Sequence, residues 1–144
     1  MRTARAVAAG MVGTAAMTAL LLIEPSVGLP KIAMGQIVST SLGLASASLT
    51  IGPIVGWVIH FLVGVTLALV YAAFVMRRLP GSALVRGLLY GAVVFLVAQL
   101  VFIPLAGMGV FSRGDFELLA GSLLGHLVYG GLTAWIYGDP TAVG

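Results

Sequence analysis

The chain has 144 residues, 60% of them hydrophobic and 8% charged, with a mean hydropathy of +1.17 and a net charge of +3. A water-soluble domain carries about a quarter charged residues, so this composition excludes one and reads as a single integral membrane domain. The basic residues form no patch or stripe, which speaks against a nucleic-acid partner. The lack of cysteine excludes disulfides, thiolate metal sites and c-type haem attachment.

The first apolar segment runs from Ala6 to Ile23 behind Arg2 and Arg5. It is longer than the apolar core of a signal peptide, and Glu24-Pro25 follows it where a small-residue cleavage site would stand, so a retained helix is expected. Residues 25–53 are too many for a turn and too polar to span, with Lys31, Gln36 and a run of Ser and Thr. Ile32, Met34, Ile37, Val38 and Leu42 recur there at mixed helical spacing. They predict a short interfacial helix on the outer face, then a Ser/Gly-rich loop, with a lid over the bundle as the functional alternative.

Three more apolar segments follow: Ile54–Met76, Leu84–Pro104 and Leu118–Tyr137. Each is close to the roughly 20 residues that one span requires. Proline and glycine punctuate both connections, the basic turn Arg77–Arg86 and the stretch Ala106–Asp115. Asp115 and Glu117 suit the start of the fourth helix through capping and dipole effects. The expected fold is therefore an all-α, four-helix transmembrane bundle. Arg2, Arg5, Arg77, Arg78 and Arg86 fall on one side, Lys31 and Arg113 on the other. The positive-inside rule then puts both termini in the cytoplasm, for a multi-pass protein of the bacterial inner membrane. Tyr71, Tyr137, Trp135, Phe74 and Trp57 fall near helix ends, where aromatic rings anchor at the interface.

Two histidines, His60 and His126, lie inside the second and fourth segments. Each is followed by Gly at the fourth position, Ala at the eighth and Tyr at the eleventh: Gly64, Ala68 and Tyr71 in one case, Gly130, Ala134 and Tyr137 in the other. The first and third segments also match, with Arg5 five residues before Gly10 and Arg86 five before Gly91. Both halves start and return on one side, which predicts two parallel helical-hairpin repeats. An ionisable ring in a span is costly and by default functional. Both rings sit roughly 6–9 residues from the outer end, about 9–13 Å deep at the helical rise.

Every fourth residue around the histidines is small: Gly52, Gly56, Gly64 and Ala68 on one helix, Ser122, Gly130, Ala134 and Gly138 on the other. Three readings follow. Small stripes allow close packing with His as hydrogen-bonding glue, which suits a non-catalytic accessory or assembly subunit. The same stripes leave room for a macrocycle beside an axial imidazole, so His60 and His126, flanked by Gly64 and Gly130, would hold one haem b near the outer leaflet. Such a protein would transfer electrons, as a subunit of a membrane complex or a homo-oligomer. In the third reading the histidines bind a single transition-metal ion or line a path for metal ions or protons, although two ligands are fewer than zinc or copper wants. Gln99 is expected to support the site by bonding a backbone carbonyl or a histidine Nδ1. Glu24 is placed as an interfacial carboxylate paired with Lys31 or Arg113, within reach of a site near His60. No Walker loop, dinucleotide fingerprint, zinc-protease helix or nucleophile elbow occurs, and no catalytic residue is assigned.

Paired histidines on alternate helices resemble cytochrome-b-type bundles, which usually carry two pairs where this chain has one. The segments Phe102-Ile-Pro-Leu-Ala-Gly-Met-Gly-Val-Phe111 and His126-Leu-Val-Tyr-Gly-Gly, with His60-Phe-Leu-Val-Gly upstream, resemble a family of small bacterial four-helix membrane proteins of unknown function. That resemblance implies the architecture and the two histidine positions, and no activity.

Overall fold

A computed structural model describes residues 1–44 and 51–138. All regular structure among them is helical: α1 (Thr3–Ile23), α2 (Met34–Ser41), α3 (Ile51–Val70), α4 (Ala83–Val97) and α5 (Phe116–Tyr137). Four helical stretches are long and apolar enough to cross a membrane: Thr3–Val27, Ile51–Val75, Ala83–Leu105 and Phe116–Tyr137. They match the four expected segments to within a turn. Their outer faces expose Leu22, Val58, Leu62, Leu96 and Leu100, among others. A bilayer is the environment that such a surface fits. The Ser-rich part of the expected loop, residues 45–50, lies outside the described residues.

Local chemistry explains the boundaries. Past α1, Pro25 opens a short 3₁₀ turn that stops at Gly28, with φ 88°. Ser82 caps α4 by accepting from Val85 N, and Asp115 caps α5 by accepting from the N–H groups of Glu117 and Leu118 at 3.1 Å. Gly138, at φ 90°, ends α5 in a conformation that favours glycine. Arg5 Nε donates to Ile136 O at 2.7 Å, meeting a carbonyl that the helix end leaves free. Helix α3 continues into a π turn at Tyr71–Val75, and α4 into another at Ala98–Phe102 ahead of Pro104.

Helix α1 packs against α3 on one side and α5 on the other, and α4 packs against α5. These three seams make an arc in which α3 and α4 are the free ends. The seams are built at glycines. A Cβ on Gly10 of α1 would meet Val65 Cα, Ala68 Cβ and Gly64 O of α3 at 2.8–3.0 Å. One on Gly87 of α4 would meet the corresponding atoms of Gly131, Ala134 and Gly130 in α5. One on Gly13 of α1 would stand 2.7 Å from Thr133 Oγ1 and 3.0 Å from Tyr129 O of α5. No side chain fits at these points. In lipid, where hydrophobicity does not drive helix association, backbone proximity of this kind holds the helices together.

One expectation needs correction. Tyr71 and Tyr137 are not interface anchors. Both are buried, and their rings meet edge to face at 6.5 Å between the helices, with the Tyr137 hydroxyl accepting from Arg2 N at 3.3 Å. Trp135 and Phe74 are exposed, as anchors are. The short helix is present as α2, packed onto α3 so tightly that Gly35 touches Gly56 and faces the Trp57 ring.

Adjacent glycines offer a test. Gly130→Ala should destabilise the bundle by about 1–3 kcal/mol through overpacking. Gly131→Ala, whose Cβ would find Leu84 and Leu88 at ordinary contact distances of 3.5 and 3.7 Å, should change little. Thermal melts of the two variants in detergent, followed by circular dichroism, compare them directly.

Candidate functional site

The arc of helices leaves a space between α3 and α4. It is a cavity of about 620 Å³, with walls from all five helices and a lining that is almost wholly apolar. That size lies in the usual range for sites that hold a small molecule or cofactor, about 300–1,000 Å³. His60 from α3 and His126 from α5 both line it.

The two imidazoles are prepared differently. His126 is buried, and its Nδ1 stands 2.7 Å from Ser122 O, one turn back on its own helix. A carbonyl can only accept, so this contact puts the proton on Nδ1 and leaves the Nε2 lone pair for another group. The ring is steadied edge-on by Phe95 of α4 at 5.9 Å. His60 lies between Trp57 at 5.7 Å and Phe61 at 5.9 Å, both edge to face. Its Nε2 is buried with no hydrogen-bond partner among the described residues. A polar atom in that position is costly unless something else satisfies it.

Gln99 is fully buried at the π turn of α4. It reaches neither a backbone carbonyl nor a histidine. Its Nε2 donates to Ser122 Oγ at 3.1 Å, and its Oε1 accepts from Ser112 Oγ at 3.2 Å. Since His126 is served by a carbonyl of its own helix, Gln99 acts on it only through Ser122, the residue both bond. The Ser112 end of this chain lies in an unusual turn. Phe111, Ser112 and Arg113 all adopt left-handed backbone, with φ of 47°, 49° and 54°. Each such residue costs roughly 1–2 kcal/mol. In return Ser112 reaches Gln99, and Phe111 packs 6.5 Å from Phe95, the ring that braces His126.

Gly64 and Gly130 are placed by the helix seams. Thr14 of α1 fills the space beside Gly64, which also borders the cavity, and the backbone of Gly87 and Gly91 fills the space beside Gly130. The stripes are thus occupied inside the bundle. Glu24 makes no ion pair with Lys31 or Arg113 among the described residues. It is 2% exposed, and both carboxylate oxygens lack a hydrogen-bond partner. The turn after α1 swings it onto α5, where Gly121 has no side chain to keep it out and a Cβ would lie 2.7 Å from Oε2. Arg113 donates to Gly107 O at 3.2 Å instead. No group of three or more His, Asp or Glu suited to a metal ion occurs among the described residues.

Several site residues escape sequence reasoning. Tyr90 and Tyr129 line the cavity and donate to backbone carbonyls of α3: Tyr90 to Leu67 O at 2.8 Å, Tyr129 to Gly64 O at 2.7 Å. Their signal was a phenol in mid-span, whose hydroxyl must find a partner where there is no water. Helix α2 contributes Met34, Ile37 and Val38 to the opposite end of the cavity. It is fixed on α3 at Gly35. At its far end the Ser41 hydroxyl lies 2.9 Å from Phe102 O of α4 and 2.8 Å from Ile37 O.

With four spans around this cavity, the chain fits a small integral membrane protein of the kind its motifs resemble. It belongs to DUF6789, a family of unknown function whose profile matches residues 1–142. No curated protein and no solved structure matches it.

The His126 tautomer can be measured. Nitrogen-15 correlation spectra of histidine-labelled protein should show a neutral ring protonated at Nδ1. A ring protonated at Nε2 would mean that the Ser122 contact is not a hydrogen bond.

Proposed function

We propose that the protein binds one haem b in this cavity through His60 and His126, and serves as an electron-transfer subunit of a membrane assembly. The observation that carries the reading is the convergence of two imidazoles, from different helices, on one apolar space large enough for a cofactor. The Nε2 of His60 has no hydrogen-bond partner among the described residues, and that of His126 is the nitrogen its backbone bond leaves free. A backbone or carboxylate acceptor on the remote ring nitrogen is the usual support for a metal-bound histidine. The apolar lining and burial are the means by which a protein tunes the potential of such a group.

Haem b also carries two propionates. Next to the cavity, and sharing Ile32, Ile37, Met108 and Leu118 with it, is a smaller hollow of about 240 Å³ lined by Lys31, Gln36 and Thr40. Lys31 and Arg113 are the two cations at this end of the bundle, and neither pairs with a described carboxylate. In this reading they receive the propionates. The opposite end, with Arg2, Arg5, Arg77, Arg78 and Arg86, faces the cytoplasm of a bacterial inner membrane by the positive-inside bias.

The reading of the histidines as metal ligands alone has less support, since among the described residues no third His, Asp or Glu gathers with them into a metal-binding group. The reading of the small stripes as a docking face for a partner chain is weakened because those glycines meet helices of this chain.

Absorption spectroscopy tests the proposal. Protein purified from membranes, or supplemented with haem, should show a Soret band and the split visible bands of a low-spin, six-coordinate iron. His60→Ala and His126→Ala should each abolish the low-spin spectrum while the helical content stays unchanged. A wild-type protein with no Soret band after supplementation overturns it.

A further inference from the structure

The contacts at the glycine seams relate the two halves of the chain in a definite register. Gly10 meets Gly64, Val65 and Ala68; Gly87 meets Gly130, Gly131 and Ala134, through the same kinds of atom. Gly10 therefore corresponds to Gly87, one helical turn from the match with Gly91 that the arginine spacing suggests. In this register Thr14 corresponds to Gly91, and each is what lies against the second-helix glycine of its half, Gly64 or Gly130. Gly13 then corresponds to Tyr90.

This last pair decides the shape of the molecule. Gly13 lets α1 close against α5 at Tyr129 and Thr133. By the same correspondence, Tyr90 faces Val63 and Leu67 of α3, and its hydroxyl bonds Leu67 O. The Tyr90 ring is buried there, 5.1 Å from the Tyr71 ring. A phenol stands where the equivalent seam has no side chain. It holds α3 and α4 apart, and the cavity begins beside it.

The gap is open sideways. Val63 and Val70 of α3 and Val93 and Val97 of α4 line the cavity, yet they are 37%, 38%, 53% and 47% exposed. All four lie within spans, so what they face is lipid. Tyr90 and Tyr129 line the cavity on the side away from α2, with Val70 and Val75 of α3 and its π turn beyond them, and α2 lies over the opposite end.

We infer that the cavity is loaded from the bilayer, through a portal between α3 and α4 that Tyr90 holds open, and that its occupant is a membrane-dissolved, largely apolar molecule. The inference rests on the preceding section for naming haem b as that occupant, and on the rim geometry for the route. Tyr90 is a positioning residue that need not touch the ligand.

Two measurements separate the route from the occupant. In the first, haem b is transferred from preloaded liposomes to the protein in nanodiscs, and the Soret change is timed. Paired rim substitutions, Val63→Phe with Val93→Phe, should lower the rate constant of loading at least tenfold, read from the time course whatever its end-point amplitude. Equal rates for wild type and rim variant overturn the portal. In the second, Trp57→Phe and Trp135→Phe remove both native tryptophans, and Tyr90→Trp places a fluorophore of wedge size in the gap between α3 and α4. Phosphatidylcholine brominated on its acyl chains should quench this emission at least twofold, and the rim substitutions should restore it. If wild-type protein takes up no haem, the occupant is wrong and the quenching arm alone decides the route. Quenching that the rim variants leave unchanged, or no quenching, overturns the portal.

Discussion

Backbone contact at glycine is the constraint on which this structure depends. Apolar side chains gain nothing by leaving lipid for one another, so helices in a bilayer adhere where their backbones approach and van der Waals contact is densest. Here three seams form that way, at Gly10 with Gly64, Gly13 with Tyr129 and Thr133, and Gly87 and Gly91 with Gly130. They fix α1 and α5 as the middle of an arc and α3 and α4 as its ends. The fourth seam carries a tyrosine and is held apart. The space between α3 and α4 is thus a consequence of where glycine is absent.

The second constraint is that polar groups in a span must be satisfied from within the protein. Most of them are. The phenols of Tyr90 and Tyr129 use carbonyls of α3, Gln99 joins Ser112 to Ser122, and the Nδ1 of His126 uses Ser122 O. His60 Nε2, the Glu24 carboxylate and the Thr18 hydroxyl are among those buried without a hydrogen-bond partner among the described residues. The histidine atom belongs to a ring that lines the cavity, which is why the proposed function is built on it. Glu24 lies against Gly121, and the proposal gives it no role.

Much of the architecture was legible because it follows from one-dimensional properties. Span positions come from hydropathy, helix ends from Pro25, Asp115 and the prolines and glycines of the connections, and the pairing of His60 with His126 from a repeated spacing. The tyrosines eleven residues beyond each histidine were also visible, but their place was not. Position near a helix end suggests an interface anchor, and only helix rotation and crossing decide whether such a ring faces lipid or, like Tyr71 and Tyr137, another ring. Gln99 was legible as a polar residue needing a partner, and illegible as to which. Its partner Ser112 depends on a left-handed turn for which Phe111, Ser112 and Arg113 have no intrinsic preference.

The sequence by itself determined that the chain crosses a membrane four times, where the helices begin and end, and that two histidines occupy equivalent places in two of them. Those properties are set by local composition and by spacing along single helices. Only the tertiary structure decided which glycine faces meet, that Gly10 and Gly87 meet like sets of atoms on α3 and α5, that α3 and α4 stay apart, and that both histidines border the resulting space. Contact between helices depends on their relative rotation and depth. A stripe of small residues states that a close approach is possible, but it does not state to which neighbour.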